Sequence, residues 1–133
     1  MKKDIQNRSD IEILVKAFYE KVKTDALIGP IFNEVIQVNW ENHLPVMFDF
    51  WENTLFYTGS YTGNPMKLHQ HLNGIFPLTS EHFKQWNILF ISTVDELFEG
   101  DKASLAKQRA TSISTVMQIK IVQEYLPKHK KQD

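Results

Sequence analysis

Apolar residues recur along most of the chain at the three- and four-residue spacing of an α-helix, and no segment alternates as a strand does. Before the first apolar stretch, Ser9 and Glu12 form a capping-box pattern that predicts a helix start. The stripe that follows consists of Ile11, Leu14, Val15, Phe18 and Val22, with Tyr19 at its edge. Gly29-Pro30 is predicted to break this helix and to leave a short apolar turn around Phe32.

A second helix is predicted in "NWENHLPVMFDFWENTLF", residues 39–56. Pro45 lacks an N–H and breaks a helix interior, but it is tolerated in a first turn. We therefore expect regular helix to begin near residues 42–44, with His43 at that start or just ahead of it. The apolar face consists of Trp40, Leu44, Met47, Phe48, Trp51 and Leu55.

The middle of the chain reads as a loop followed by a short helix. The segment "YTGSYTGNP", residues 57–65, is a loop by composition. Its last two residues, Asn64-Pro65, suit the N-cap and the first helical position. A helix of about two turns is expected to follow and to stop at Gly74.

Two longer helices complete the predicted fold. Thr79 or Ser80 caps the first of them, and Gly100 ends it. Its face consists of Phe83, Trp86, Phe90, Val94 and Leu97, and the last helix carries Ala106, Ala110, Ile113 and Met117 on one stripe. The pattern predicts one all-α domain over residues 1–133, with about six helices and an ordered core at 9–125. Residues 1–8 and the basic segment 127–133 are expected to fray.

The totals exclude several classes of protein. The chain has 15 Lys plus Arg against 16 Asp plus Glu, so no global charge draws it to nucleic acid or to an anionic membrane. It has no cysteine, which excludes disulfides and thiolate metal sites. The N-terminus "MKKDIQNRSD" lacks the apolar centre of a signal peptide, and no apolar run approaches the ~18 residues of a membrane span. We expect a soluble cytoplasmic protein without membrane insertion.

Aromatic residues are abundant, with nine Phe, four Tyr and three Trp. Most of them fall between residues 18 and 98. Because aromatic side chains bury large areas, the core is either unusually aromatic or wraps something flat and apolar.

His69 and His71 stand two residues apart in the predicted short helix. In a helix, such side chains point about 200° away from each other, so they cannot hold one zinc ion together. His69 shares the apolar stripe with Pro65, Met66 and Leu72, whereas His71 lies towards the polar flank. His69 is either a core histidine bonded to a backbone carbonyl or a ligand to a cofactor.

Haem fits this second alternative, since its iron takes an imidazole on one side and needs an apolar slot around it. Tyr19, His43 and Trp86 lie on or near apolar faces, and each can donate a hydrogen bond. A buried donor without a partner costs ~1–3 kcal/mol. Either these three share a polar partner or each finds its own backbone carbonyl, and spacing alone does not separate the two cases.

Over about residues 9–120 the chain resembles the truncated haemoglobins, and among them group III. The matching motifs occur in the family's order and spacing: "FYEKV", "IGPIFN", "WENHLPVMFDFWENTL", "YTGNPMKLH" and "PLTSEHFKQWNILFISTVDELFEG". The five glycines include no adjacent pair, in agreement with a group that lacks the paired-glycine motifs of the other two. The resemblance implies a two-over-two globin-like helical sandwich around haem.

The resemblance also implies roles for individual residues. His69, four residues after Pro65, matches the proximal iron ligand, whereas His71 has no counterpart. Tyr19 and Trp86 match the distal hydrogen-bond donors, and His43 matches a distal histidine whose side chain gates the pocket. The positions that line the haem are matched by Phe18, Phe32, Met47, Phe50, Trp51, Met66, Leu72, Phe83 and Trp86.

The function implied is binding of dioxygen, and of other small diatomic ligands, at a noncovalent haem b, as in oxygen transport. Nitric oxide, carbon monoxide, cyanide and peroxide are further candidate ligands. The alternative is a redox enzyme, a nitric oxide dioxygenase or a peroxidase-like protein, which would need a separate reductase. A helical module without cofactor, or with zinc, is a third hypothesis.

Overall fold

The computed structural model describes residues 2–35, 40–59 and 78–131. Four α-helices lie in these ranges: α1 (Arg8–Thr24), α2 (Trp40–Phe56), α3 (Ser80–Leu97) and α4 (Asp101–Lys131), with a π-helical turn (Ile31–Val35) between α1 and α2. These ranges contain no strand, and the all-α prediction is confirmed. The predicted short helix after Asn64-Pro65, with His69 and His71, falls outside the described residues.

Helix α1 begins earlier than the capping-box pattern predicted. Its N-cap is Asn7, not Ser9, and the Asn7 side chain accepts a hydrogen bond from the Asp10 N–H at 3.1 Å. Glu12 pairs with Arg8 at 3.5 Å. The predicted stripe is buried throughout, and Tyr19 is buried with it.

Helix α1 also ends earlier than expected, at Thr24 rather than at Gly29-Pro30. Asp25 turns to extended backbone, and its carboxylate accepts hydrogen bonds from the Leu27 and Ile28 N–H groups, both at 3.0 Å. This side chain replaces helical acceptors and so redirects the chain into the turn that carries Phe32.

Helix α2 begins at Trp40, before the predicted start at residues 42–44, and contains Pro45. Proline has no N–H to donate to the Glu41 carbonyl four residues earlier. Pro45 is the sixth residue of the helix, so this bond is missing in the second turn and the helix continues past it. The predicted face is correct: Phe48, Trp51 and Leu55 are buried, and Trp40, Leu44 and Met47 pack against the core.

Of the two caps predicted for α3, Thr79 is the one used, and its backbone N–H donates to His82 Nδ1 at 2.9 Å. The helix ends at Leu97, before Gly100. In α4 the small residues Ala103, Ala106 and Ala110 are buried. Helix α4 runs on to Lys131 and so takes in residues 127–131, which were expected to be a frayed tail.

The N-terminal residues do not fray as predicted but form an N-terminal corner (Asp4, Ile5, Gly100, Lys102 and Ala103). The Asp4 carboxylate accepts the backbone N–H groups of Lys102 and Ala103, each at 2.9 Å, and so caps α4. Ile5 is 1% exposed. Lys102 Nζ in turn donates to the Leu55 carbonyl at the end of α2, at 2.9 Å.

The helices pack as two connected pairs. Helix α3 lies along α4, helix α1 lies against both α2 and α3, and α2 contacts α4. The main core is therefore enclosed by all four helices, with Phe18 and Phe90 among its largest fully buried side chains. No helix in the described ranges is both long and apolar enough to span a membrane.

Candidate functional site

Tyr19 and His43 meet in the structure. Helix α1 carries Tyr19 and the first turn of α2 carries His43, and the Tyr19 hydroxyl oxygen lies 3.2 Å from His43 Nε2. Tyr19 is 6% exposed, and its ring and the imidazole are edge to face, with centroids 5.2 Å apart. Two of the three predicted polar residues thus share one hydrogen bond.

Burial governs the protonation of Tyr19. Removal from water raises the pKa of the Tyr19 phenol far above its usual value of about 10. The raised pKa keeps the hydroxyl protonated at every physiological pH, so Tyr19 remains a hydrogen-bond donor.

Two further aromatic rings complete a distal cluster, which we define as Tyr19, Phe32, Trp40 and His43. Trp40 lies 5.1 Å from the Tyr19 ring and 5.6 Å from the His43 ring, measured between centroids. Phe32, from the π-helical turn, stacks on Trp40 at 6.0 Å and also contacts Tyr19. The cluster therefore joins the end of α1, the turn and the start of α2.

Trp86 lies in a neighbouring aromatic column on α3. Phe90 is stacked between Trp51, at 4.6 Å and 15°, and Trp86, at 5.9 Å and 11°. Phe18 meets Trp86 and Phe90 edge to face and lies 4.9 Å from Tyr19. Phe18 thus connects the column to the distal cluster. Trp86 is half-buried, which leaves part of its indole accessible.

Gln85 fixes the position of this segment of α3. Its side-chain amide donates to Asp25 Oδ1 at 2.7 Å. The turn after α1 is therefore hydrogen-bonded to α3 at the residue that precedes Trp86. Burial would raise the pKa of Asp25, but hydrogen bonds from Ile28, Gln85 and Leu27 outweigh it, and the pKa is lowered. Asp25 is therefore a charged acceptor at neutral pH.

The other predicted lining residues occupy different surroundings. Met47 and Phe50 are half-buried against the main core, and Trp51 is 4% exposed. Phe83 lies in a second, smaller apolar cluster with Met117, Leu78 and Ile113. His69, Met66 and Leu72 fall outside the described residues.

Trp40, Phe90 and Lys23 were not predicted as site residues. The spacing of Trp40 and His43, three residues apart on one helix, is a signal for their contact. Phe90 was identified only as a core position. Lys23 Nζ lies over the Trp40 ring at 4.7 Å from its centroid, a contact between residues of different helices that no local pattern indicates.

The described residues contain no group of three or more His, Asp or Glu side chains placed to hold a metal ion. The polar groups of this site are the Tyr19 hydroxyl, the His43 imidazole and the Trp86 indole N–H, and they lie among aromatic rings.

The chain is similar to known proteins in both sequence and fold. No protein-family model matches the chain. The curated Group 3 truncated hemoglobin ctb of Campylobacter jejuni is 33% identical over 121 residues, which span 89% of this chain and 93% of that protein. The crystal structure of the group III truncated hemoglobin from Campylobacter jejuni superposes with a TM-score of 0.80 at 31% identity, and the match covers 91% of this chain and 95% of that one. The agreement in sequence and in fold extends over nearly the whole of both chains, and this chain therefore belongs to the group III truncated haemoglobins.

Proposed function

We propose that this protein is a haem-binding globin that takes up dioxygen and other small diatomic ligands. The proposal rests on the Tyr19–His43 hydrogen bond, a polar pair held within an aromatic cluster. A pocket that only packed rings together would gain nothing from burying a phenol and an imidazole. Membership of the family implies the haem itself. We further propose that residues 1–133 form one domain and that the haem is a noncovalent haem b, because the chain has no cysteine for attachment.

The residues described on this side of the fold suit haem. The rings of Phe32, Trp40 and Trp86 are half-buried, so each offers an apolar face beside the buried core. Flat apolar surface next to a few uncharged donors is the environment that haem and a gas ligand require. His69 would hold the iron from the other side, with Met66 and Leu72 beside it, as the family motif implies. Haem, when bound, supplies an iron atom with one coordination position for a small ligand.

Two of the distal donors form a chain of hydrogen bonds. A hydroxyl can donate its proton to one partner while its oxygen accepts from another, and His43 Nε2 lies within reach to donate to that oxygen. We infer that His43 holds the Nε2–H tautomer, donates to the Tyr19 oxygen and leaves the Tyr19 proton for the ligand. Such a chain strengthens each of its hydrogen bonds. Trp86 would add a second donor from α3.

The proximal ligand is tested by visible spectroscopy of the haem-loaded protein. His69→Gly removes the proposed iron ligand, and His71→Ala, two residues away, is the matched control. We expect His69→Gly to lose the five-coordinate ferrous spectrum and to regain it with added imidazole, which fills the vacated space. His71→Ala should keep the wild-type spectrum, because its side chain lies towards the polar flank of the predicted helix.

Two outcomes would contradict the proposal. If the purified wild-type chain develops no Soret band when haem is added, it is not a haem protein. If His69→Gly keeps a normal five-coordinate spectrum without imidazole, another residue holds the iron.

A further inference from the structure

Lys23 contacts the distal cluster from outside. Its ammonium lies 4.7 Å from the centroid of the Trp40 ring and 3.2 Å from the Glu20 carboxylate. The Lys23 side chain is 31% exposed, so part of it is withdrawn from water. An ammonium over an indole face is attracted by the negative charge of the ring's π-system.

The backbone of Lys23 is also fixed. Its carbonyl accepts a hydrogen bond from the Asn33 side chain at 2.9 Å, which ties the π-helical turn to the end of α1. A Cβ at Gly29 would lie 3.0 Å from this same carbonyl, so the turn returns very close to Lys23. The base of the lysine side chain is therefore held, and the contacts with Glu20 and Trp40 place its ammonium.

The turn of α2 beneath this contact has weaker backbone support than the rest of the helix. Trp40 and His43 both lie in the first turn. Pro45, two residues after His43, has no N–H to donate to the Glu41 carbonyl, so one helical bond is missing here. Side-chain contacts must supply part of what holds this turn, and Trp40 contacts Tyr19, Phe32 and His43.

We propose that Lys23 is a positioning residue that clamps Trp40 and thereby holds the His43 turn against Tyr19. The inference rests on the proposed ligand pocket, since its consequence for function is control of ligand entry. When the ammonium is lost, Trp40 and His43 leave their contacts with Tyr19 more often, and small ligands enter faster.

The test compares three variants of the full haem-loaded chain. Lys23→Met keeps the length and apolar stem of the side chain but removes the charge, and Lys23→Arg restores a cation. Lys16→Met is the matched control, because Lys16 lies on the same helix with its ammonium 5.9 Å from the Phe48 ring, outside the distal cluster. The measurement is the association rate of carbon monoxide after flash photolysis.

We expect Lys23→Met to bind carbon monoxide about two- to fivefold faster, the factor that corresponds to losing one partly exposed cation–π contact. Lys23→Arg and Lys16→Met should stay within about twofold of the wild type. Equal rates for Lys23→Met and Lys16→Met would overturn the proposal, as would a rate for Lys23→Arg that matches Lys23→Met.

A second readout does not depend on ligand binding. In protein labelled with ¹⁵N at tryptophan, Lys23→Met should shift the indole N–H signal of Trp40, assigned with Trp40→Phe, and leave those of Trp51 and Trp86 in place. An unshifted Trp40 signal overturns the clamp. If the chain fails to bind haem, the proposed function fails, but the signal in haem-free protein still reports whether Lys23 holds Trp40.

Discussion

The N-terminal corner and the distal cluster both pair their polar groups by hydrogen bonds, but with different kinds of partner. In the corner, the Asp4 carboxylate accepts backbone N–H groups of Lys102 and Ala103, at atoms whose positions the helix fixes. In the distal cluster, two side chains share one hydrogen bond, and neither partner is a backbone atom. Hydrogen bonds to backbone atoms hold the corner in one geometry. A hydrogen bond between two side chains leaves a donor that can instead bond to a ligand. The corner should therefore control stability, and the distal cluster should control ligand kinetics.

The largest expected effect on the corner comes from Gly100→Ala. Gly100 has a φ of +140°, and an added Cβ would lie 2.6 Å from Asp4 Cγ. Asp4 cannot retreat without losing its bonds to α4. We expect the unfolding free energy to fall by about 2–3 kcal/mol, as measured by urea denaturation. Gly59→Ala is a suitable control, because its φ is also positive, +75°, but a Cβ there would have no atom within 4 Å.

The corner could not have been predicted from the sequence. Asp4 and Lys102 are far apart in the chain, and no local pattern connects an N-terminal carboxylate to the start of a distant helix. The Ser9–Glu12 prediction was wrong for a local reason. Asn7 and Asp10 have the same cap spacing, and it is the Asn7 side chain that forms the capping hydrogen bond. The helix faces were predicted correctly because the burial of a periodic stripe depends only on residues a few positions apart.

The distal cluster was predicted in part. Tyr19, His43 and Trp86 were identified as donors on apolar faces, but only the fold shows that Tyr19 and His43 lie within hydrogen-bond distance while Trp86 contacts Phe18 and Phe90. Trp40 was assigned to an apolar face without a role. Its contact with His43 follows from spacing on one helix, whereas its contact with Lys23 depends on how two helices pack.

The strongest test of the distal cluster is Tyr19→Phe. The ring stays in place, but the proton that we propose is donated to the ligand is lost. A hydrogen bond to a strongly polarised group is worth ~1.5–3 kcal/mol, so the dioxygen dissociation rate should rise by about one to two decades. Stopped-flow mixing of the oxygenated protein with carbon monoxide measures this rate. The unfolding free energy should change by about 1 kcal/mol or less.

Trp86→Phe serves as the companion variant, since it keeps a ring against Phe90 and Phe18 and removes only the indole N–H. Its dioxygen dissociation rate should change severalfold. If neither variant changes that rate, Tyr19 and Trp86 are not donors to the ligand. A large loss of stability in Tyr19→Phe would equally contradict the division between the two regions.

The smallest of these effects concerns pH and Asp4. Burial would raise the pKa of this carboxyl, but hydrogen bonds from Lys102, Ala103 and Ile5 and the charge of Lys102 outweigh it, so the pKa is lowered. A folded-state pKa below the unfolded value of about 4 means that the charged carboxylate stabilises the fold above that pH, and that this contribution is lost as the pH falls through the folded-state pKa. Asp4→Asn should therefore cost about 1 kcal/mol at pH 7, measured by urea denaturation. The difference from the wild type should narrow as the pH is lowered towards the folded-state pKa.

The carbon monoxide association rate of Asp4→Asn should equal that of the wild type at pH 7, because no contact of the corner reaches Trp40 or His43 in the described structure. A stability difference that grew on acidification would show that Asp4 is not held as a charged cap. An altered ligand rate would show that the corner and the distal cluster are coupled, and the separation of stability from ligand control would then fail.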